Sequence, residues 1–397
     1  AAGVLALLLP FLAPGIAQDD GQEETAVVGL PELLQMALDQ RPNLQAARIS
    51  VESAETRTRC QKSRRWPTIS GNWNARTTKS LDRPVTLEGG VTTTVARRTT
   101  TRNASVGLDW TIWDNTRRPS IRQAEASEDA ARYRLDDTRL GVLEQVALLY
   151  HSALGNRRLA EVAMRAVASS QRHLDLVDAQ IEAGLAAESD RLPVEVELTR
   201  ARARAVRSER SYLQNIADLR AAVGMEERRE FRLAEPPDVP GIDGRIEEFI
   251  IEALDRRDDL NAARKQLEVS RWAARLADIR NGVQLSASGH TEYGRYTGLT
   301  GDSWWVQAGL SVPLYDGGSR ADEHLAGLDV EGAEADLAQL RLNVRQDVES
   351  SYLGVTESAT QIDETEAAVE AAQVALDAAE ERYAAGVADI IEVTDAE

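Results

Sequence analysis

VQAGLSVPLYDGG, at residues 306–318, is the stretch that decides the fold, because it joins two kinds of secondary structure. Its first half alternates apolar with small or polar residues, which is typical of a strand with one apolar face. From Ser319 to Ala385 there is no proline, and the sequence is rich in Ala, Leu, Glu, Gln and Arg. It predicts one helix of 67 residues (385 − 319 + 1), about 100 Å long, which is too long for a single compact domain.

The same unit of sequence occurs twice in the chain. Ala37-Leu38-Asp39 corresponds to Ala253-Leu254-Asp255 at an offset of 216 positions (253 − 37). Further along, Gly107-Leu108 corresponds to Gly309-Leu310 at an offset of 202 (309 − 107). The difference falls in an exposed loop, where insertions are tolerated. We therefore predict a duplicated unit of helix, strand, loop, strand, long helix, glycine turn and helix.

The domain boundaries follow from these two copies. In the first copy, at 18–245, we predict a helical segment at 30–65 broken by Pro42, strands at 66–76 and 103–113, an exposed loop at 77–101, a long helix at 117–183, a helix at 190–223 and a linker at 225–245. In the second copy, at 246–397, we predict strands at 282–294 and 304–315 and the long helix at 319–385. Pro313, Gly317 and Gly318 form the corner between strand and helix.

Both ends of the sequence carry an expectation about processing or length. Residues 1–17 are apolar, contain two prolines and end in Gly15-Ile16-Ala17, which is typical of a secretory signal peptide whose basic start is missing. At the other end, Val223 of the first copy would correspond to position 425 (223 + 202). We therefore expect the second copy to be truncated by about 30 residues relative to the first.

Composition and charge exclude several classes of function. The net charge of −19 argues against nucleic acid as a partner, because phosphate binding needs a concentrated basic face. Cys60 is the only cysteine, and the four histidines are scattered, so neither a disulfide framework nor a metal cluster is predicted. There is also no glycine-rich phosphate loop. We expect no cofactor and no enzymatic activity.

The four predicted strands are long enough to cross an outer membrane when tilted. Four strands cannot close a barrel, so their open edges would require several subunits. The alternative is a soluble antiparallel sheet with one face on a core, but the predicted helices are too long to cover four short strands. The faces expected to meet lipid are Ile69/Trp73, Leu108/Trp110/Ile112, Val283/Leu285 and Val306/Leu310/Val312.

With these features the sequence resembles the TolC-like outer-membrane efflux proteins, or outer membrane factors. The resemblance rests on the duplication, on VPLYDGG at 312–318 and on the turns around Gly184 and Gly386, and it covers about residues 25–397. It implies a mainly α fold in which four strands per chain contribute to a trimeric 12-stranded β-barrel, continued by a long periplasmic α-helical barrel. The first copy departs from the pattern by having Thr111 where the second has Pro313.

The resemblance also implies a function and a set of partners. It implies a homotrimeric exit duct in the outer membrane of a Gram-negative bacterium, extending into the periplasm and in contact with outer-membrane lipid. The duct would serve tripartite efflux or type I secretion, with a periplasmic adaptor (membrane fusion) protein and an inner-membrane RND or ABC pump as partners. A different class of function remains open, namely a periplasmic coiled-coil adaptor or scaffold without a membrane barrel.

The candidate gate lies at the end of the second long helix. Glu392 and Asp395 are three residues apart and share a helix face, so a trimer would place six carboxylates (2 × 3) around one axis. These positions match the acidic constriction of the family, whereas Tyr383 and Asp190 match residues that tie neighbouring hairpins together. Ala388 stands where the family often has a basic residue. The alternative is that the two acids are solvated residues favoured by a helix dipole.

Overall fold

The computed structural model describes residues 26–79, 83–86, 92–95, 98–225, 231–236, 243–279, 282–296, 299–385, 387–388 and 390–396. The predicted signal peptide at 1–17 lies outside the described residues, as does Gly386. The chain divides into two compact units, residues 1–41 with 142–237 and residues 42–141 with 238–397.

The order of elements repeats along the chain. The first copy contains β1 (Ala26–Val28), α1 (Leu30–Gln40), α2 (Pro42–Ser63), β2 (Thr68–Lys79), β3 (Arg83–Thr86), β4 (Thr92–Val95), β5 (Arg98–Asp114), α3 (Arg117–Glu182), a short 3-10 helix (Glu188–Asp190) and α4 (Arg191–Val223). After β6 (Phe231–Leu233), the second copy contains α5 (Ile246–Arg256), α6 (Asp258–Asp278), β7 (Gln284–Tyr296), β8 (Leu299–Ser311), α7 (Ser319–Ala384) and α8 (Ile390–Ala396). The predicted mainly α, duplicated fold is thus confirmed.

The long helices α3 and α7 are the largest elements, and each has 66 residues. Both their first and their last residues are related by the offset of 202 (319 − 117 and 384 − 182). Each ends one residue earlier than predicted, at Glu182 and Ala384. On α7, Leu337 and Val344 are buried in a cluster with Leu260 and Leu267 of α6. A helix this long is stabilised through such packing of its apolar residues rather than by propensity alone.

Within the described residues, the main sheet has four antiparallel strands in the order β2-β5-β7-β8. The central pair, β5 and β7, joins the first copy to the second. Strands β3 and β4 form a separate antiparallel hairpin. No described helix is long and apolar enough to cross a membrane.

The strand boundaries differ from those predicted, for two physical reasons. Proline lacks the N–H that a ladder needs, so β2 begins after Pro67 and β8 ends at Ser311, before Pro313. The lack of aliphatic residues at 77–101 predicts a loop there. Its threonines are β-branched and favour strands, so β2 extends to Lys79 and β5 begins at Arg98.

The remaining shifts are in the second copy and in the linker. Strand β7 covers 284–296 instead of 282–294, and β8 covers 299–311 instead of 304–315, so that two residues separate the strands. The linker at 225–245 contains β6, which pairs in parallel with β1. Phe231 and Leu233 of β6 are buried. Three residues are too few for a recognisable alternation, so this strand was not predicted.

Two equivalent tyrosines, one on each long helix, donate hydrogen bonds to the linker at 225–245. The hydroxyl of the buried Tyr150, on α3, donates to the carbonyl oxygen of Ala234 at 2.6 Å. Burial raises the pKa of the Tyr150 phenol above its ordinary value. Tyr352, 202 positions later on α7, donates to the carbonyl oxygen of Gly244 at 3.4 Å. The duplication has therefore preserved a contact from each long helix to the linker.

We predict that Tyr150→Phe lowers the free energy of unfolding by about 1–2 kcal/mol, because it leaves the partly buried Ala234 carbonyl oxygen without its hydroxyl donor. Tyr352→Phe is the matched control, and its longer, exposed hydrogen bond predicts a loss below about 0.5 kcal/mol. Chemical unfolding in detergent, followed by circular dichroism, measures both. Equal effects of the two substitutions would contradict the proposed difference.

Candidate functional site

The two faces of the four-stranded sheet differ in chemistry. The strand pairings place the following large side chains on one face: Ile69 and Trp73 of β2, Val106 and Leu108 of β5, Leu285 and Thr291 of β7, and Trp304 and Leu310 of β8. Trp73 is 75% exposed and Val306, on the same face, is 76% exposed. Every residue of β2 is exposed, on both faces. Because these large apolar side chains face outward, the apolar face requires an environment that this chain does not provide.

Aromatic residues on the apolar face lie in two rows. Trp73 and Tyr293 both pair in register with Ala104 of β5 and form the row farther from the helices. Trp110, which pairs with Ala287, and Trp113, which pairs with Leu285, form the row nearer to the helices. Six residues separate Ala287 from Tyr293, so the rows are about 20 Å apart. Aromatic girdles flanking an apolar band of about 25 Å are a feature of outer-membrane strands.

The opposite face of the sheet is polar. Its positions carry Ser70 and Asn72 on β2, Ser105 and Asp109 on β5, and Ser288 on β7. Such a face is suited to contact with water. Among the described strands, β2 and β8 each have one neighbour in the sheet, so each leaves one row of backbone N–H and C=O groups unpaired by this sheet.

The corner in the second copy lies between β8 and α7. Residues 312–316 have no regular structure, and Gly317 and Gly318 form a turn. The Asp316 carboxylate accepts a hydrogen bond from the Gly318 N–H (3.1 Å), and the Gly318 carbonyl accepts from Asp322 N–H (3.1 Å). The corner therefore depends on Asp316 as well as on the predicted Pro313, Gly317 and Gly318.

The first corner keeps this aspartate but is otherwise built differently. Asp114, 202 positions before Asp316, accepts from the Thr116 N–H and hydroxyl, each at 2.8 Å. Strand β5 continues through this corner, with a bulge between Thr111 and Trp113. Arg117, the first residue of α3, donates to the carbonyl oxygens of Thr111 and Ile112. The two corners thus differ at Thr111 and Pro313, but they share an aspartate, Asp114 in the first and Asp316 in the second.

The helix ends have related turns. Gly184 has φ +71°, and the Leu185 N–H donates to the Gln180 carbonyl at 2.8 Å. At the end of α7, the Val387 N–H donates to the Arg382 carbonyl at 3.0 Å. The second hydrogen bond is the first displaced by 202 positions. Glycine permits the positive φ that ends a helix in this way, and Gly184 provides it in the first copy.

The predicted gate residues of the second copy lie on and beside α8. Glu392 and Asp395 are three residues apart on this short helix, which packs against α7. Val393, between them, is 1% exposed and anchors the helix. The Arg382 guanidinium forms an ion pair with the Glu392 carboxylate. Asp395 is exposed, and the half-buried Tyr383 follows Arg382 in sequence.

Asp190 makes a local contact in the first copy. Its carboxylate accepts hydrogen bonds from the Ala187 N–H at 3.1 Å and from the Ser189 hydroxyl at 3.2 Å. It therefore stabilises the turn that leads into α4. Arg382 is a functional candidate that the sequence reasoning missed. The ten-residue spacing to Glu392 spans a turn, so helical periodicity carried no signal for the pair.

Metal binding is a further kind of chemistry to consider in the described residues. Within them, no group of three or more His, Cys, Asp or Glu side chains is arranged to hold a metal ion. The geometry consists of a two-faced sheet, two corners and two helical turns. Such a set of elements is suited to forming a wall and a constriction.

Comparison with known proteins decides the family. The model of the family described as outer membrane efflux protein matches residues 33–225 and 249–397, which is most of the chain. The chain belongs to this family. The predicted resemblance is thus confirmed, and the efflux protein is located in the outer membrane, with its helices extending into the periplasm. No curated protein matched the sequence.

Solved structures of outer-membrane channels share the fold of this efflux protein. The CmeC channel of Campylobacter jejuni has 14% sequence identity and a TM-score of 0.81, over 99% of this chain and 88% of that chain. VceC of Vibrio cholerae has 18% identity and a TM-score of 0.74, over 92% of this chain and 88% of that chain. OprN has 20% identity and a TM-score of 0.74, over 92% and 83% of the two chains.

We predict that Asp114→Ala in this efflux protein lowers the free energy of unfolding by about 1–2 kcal/mol, because the Thr116 N–H at the start of α3 loses its acceptor. Asp114→Asn keeps an acceptor oxygen and is expected to lose less than half as much. Thermal unfolding in detergent measures both variants. Equal destabilisation by alanine and asparagine would show that the hydrogen bond is not the cause.

Proposed function

We propose that this protein is the exit duct of a tripartite efflux or type I secretion system, through which substrates leave the cell passively. The observation that carries the proposal is the four-stranded sheet, whose outward apolar face bears aromatic rows about 20 Å apart and whose opposite face is polar. The apolar face would contact outer-membrane lipid. The polar face would line a water-filled path.

The number of strands supports assembly as a trimer. The smallest bacterial outer-membrane barrels have about eight strands, so the four described strands need further copies to satisfy the edges of β2 and β8. Three copies would provide twelve strands. The long helices α3 and α7, which follow the corners, would then continue the barrel as a helical tube. We propose the homotrimer as the functional unit.

A duct of this kind needs partners that supply energy and substrate. We propose a periplasmic adaptor protein and an inner-membrane pump of the RND or ABC class as these partners. The rival function, a coiled-coil adaptor without a barrel, is disfavoured by the sheet, since an adaptor has no use for strands of membrane length with exposed aromatic rows.

The test of the proposed function has two parts. First, the protein is expected in the outer-membrane fraction and as a trimer in detergent. Second, the purified trimer is expected to form stable conductance steps in a planar lipid bilayer. A soluble monomer that leaves the bilayer sealed would support the adaptor function instead.

We propose that the end of α7 with α8 forms the narrow gate of the duct, with Glu392 and Asp395 as its carboxylates. Tyr383 and Asp190 are proposed to hold the closed state. The Arg382–Glu392 pair adds a new element to this proposal, because the guanidinium offsets one carboxylate of each chain. The local hydrogen bonds of Asp190 hold its carboxylate in place at the turn that leads into α4.

For the gate, we predict that the double variant Glu392→Ala with Asp395→Ala lowers the cation-to-anion permeability ratio at least about twofold and weakens block by divalent cations, because the carboxylates attract cations into a narrow opening. The matched control is Asp363→Ala with Glu366→Ala, two exposed acids with the same spacing on α7. Conductance in planar bilayers measures both. If the control lowers the ratio as much as the gate variant, the gate assignment is wrong.

The ion pair gives a prediction of opposite sign. Arg382→Gln removes the positive charge beside Glu392, so we expect the cation-to-anion permeability ratio to rise. Arg382→Lys keeps the charge and is expected to stay near wild type. Reversal potentials in a salt gradient measure these ratios. A fall in the ratio for Arg382→Gln would contradict the proposed role of Arg382.

A further inference from the structure

Two adjacent tryptophans lie on opposite faces of strand β8. Trp304 is on the apolar face, in register with Thr291, whereas Trp305 is on the polar face, in register with His290. Apart from Leu299 at the start of the strand, the other polar-face positions of β8 among the described residues are small or hydrophilic, namely Gly301, Ser303, Gln307, Gly309 and Ser311. Trp305 is nevertheless 46% exposed. A large aromatic ring on a face suited to water is therefore an exception to the pattern of the strand.

The ring of Trp305 is held in place by its neighbour on β7. The imidazole of His290 stacks on the indole with a centroid distance of 5.8 Å and an interplanar angle of 20°. Both side chains project from the same face, since the two residues are paired in register. The stacking fixes the orientation of the indole, so that it forms a rigid aromatic surface.

A carboxylate lies beside this aromatic surface. Glu292 is two residues from His290 on the same face, and its Oε2 is 3.9 Å from the Nε2 of His290. The Asn103 side-chain amide of β5 donates to the other carboxylate oxygen. The Glu292 side chain is 20% exposed, so it is partly withdrawn from water.

An aromatic face next to a partly buried carboxylate is a recognised arrangement for binding organic cations. The ring quadrupole attracts a cation placed over its face, and the carboxylate adds Coulombic attraction that water screens only in part. We propose that Trp305, Glu292 and His290 form a binding station for organic cations with an aromatic or quaternary ammonium group, on the polar face of the sheet. This inference rests on the proposed function, because the station acts on transported solutes only if the polar face lines the duct.

The ligand class follows from the same three side chains. A neutral aromatic solute would gain stacking but not the attraction of Glu292, and an aromatic anion would be repelled by it. A small inorganic cation would gain only the carboxylate. An aromatic cation gains both, so it should bind better than any of these. The station would therefore bind aromatic cations selectively and transiently during their passage.

The experiment measures block of the reconstituted trimer by benzyltrimethylammonium at one fixed pH. Trp305→Leu is expected to raise the half-blocking concentration about fivefold. Trp304→Leu is the matched control, since it removes the same side chain from the opposite face, and it should leave the value unchanged. Benzenesulfonate, which has the same ring and a negative charge, should not block at the same concentrations.

Two further variants keep the test decisive if Trp305→Leu does not assemble. Trp305→Phe keeps an aromatic face, so its half-blocking concentration should lie within about twofold of the wild-type value. Glu292→Gln preserves size and removes the charge, so its half-blocking concentration should rise. Unchanged block in Glu292→Gln, or equal effects of Trp304→Leu and Trp305→Leu, would overturn the station while leaving the channel intact. Absence of any conductance from the wild-type protein would instead overturn the proposed function, and the station with it.

Discussion

The unpaired backbone groups along strands β2 and β8 are the constraint on which the rest of the structure depends. In water these N–H and C=O groups could be solvated, but beside lipid each one left unpaired carries a large energetic penalty. The apolar side chains of the same strands favour lipid. The apolar side chains of the sheet can therefore contact lipid only if the backbone groups at its edges are paired. Identical copies of the chain can provide those hydrogen-bond partners through the same two edges.

Duplication is a simple way to build such a protomer, and the details of the two copies show which parts tolerate change. The long helices have kept the same length, and each corner has kept its aspartate, Asp114 or Asp316. The connection between the strands has changed instead, from one that contains the β3–β4 hairpin to the short one between β7 and β8. In a closed barrel, a change in the length of one helix would displace the turn at its end relative to the turns of the other helices. A loop at the far end of the strands is free to vary.

The sequence predicts the large elements of this fold because their signals are long and regular. Helix α7 differs from its predicted range by one residue, since dozens of consecutive helix-forming positions determine it. The strand residues that the sequence did not predict depend on local side-chain chemistry and on neighbouring strands. Lys79 and the neighbouring threonines extend a strand without an aliphatic pattern, and the three residues from Phe231 to Leu233 form a strand only because β1 lies alongside.

In the candidate gate, too, spacing within a helix could be predicted, but a contact across a turn could not. Spacing alone placed Glu392 and Asp395 on one helix, which the structure also does. The partner of Glu392 could not be read from spacing, because the chain reverses between Arg382 and α8 and periodicity does not extend across a turn. A resemblance could indicate the positions involved, but the electrostatic balance of the site depends on this one contact.

Comparison of the two turns shows why we propose the gate carboxylates in the second of them. At the offset of 202, Asp190 corresponds to Glu392 and Gln180 corresponds to Arg382. In the first copy the shorter carboxylate hydrogen-bonds to the backbone N–H of Ala187 and is used to stabilise its own turn. In the second copy the longer carboxylate reaches across to a guanidinium, and the exposed Asp395 stands where the first copy has Pro193. The carboxylate of the first turn is therefore held within its own turn, whereas the second turn carries the charges on which the proposed gate depends.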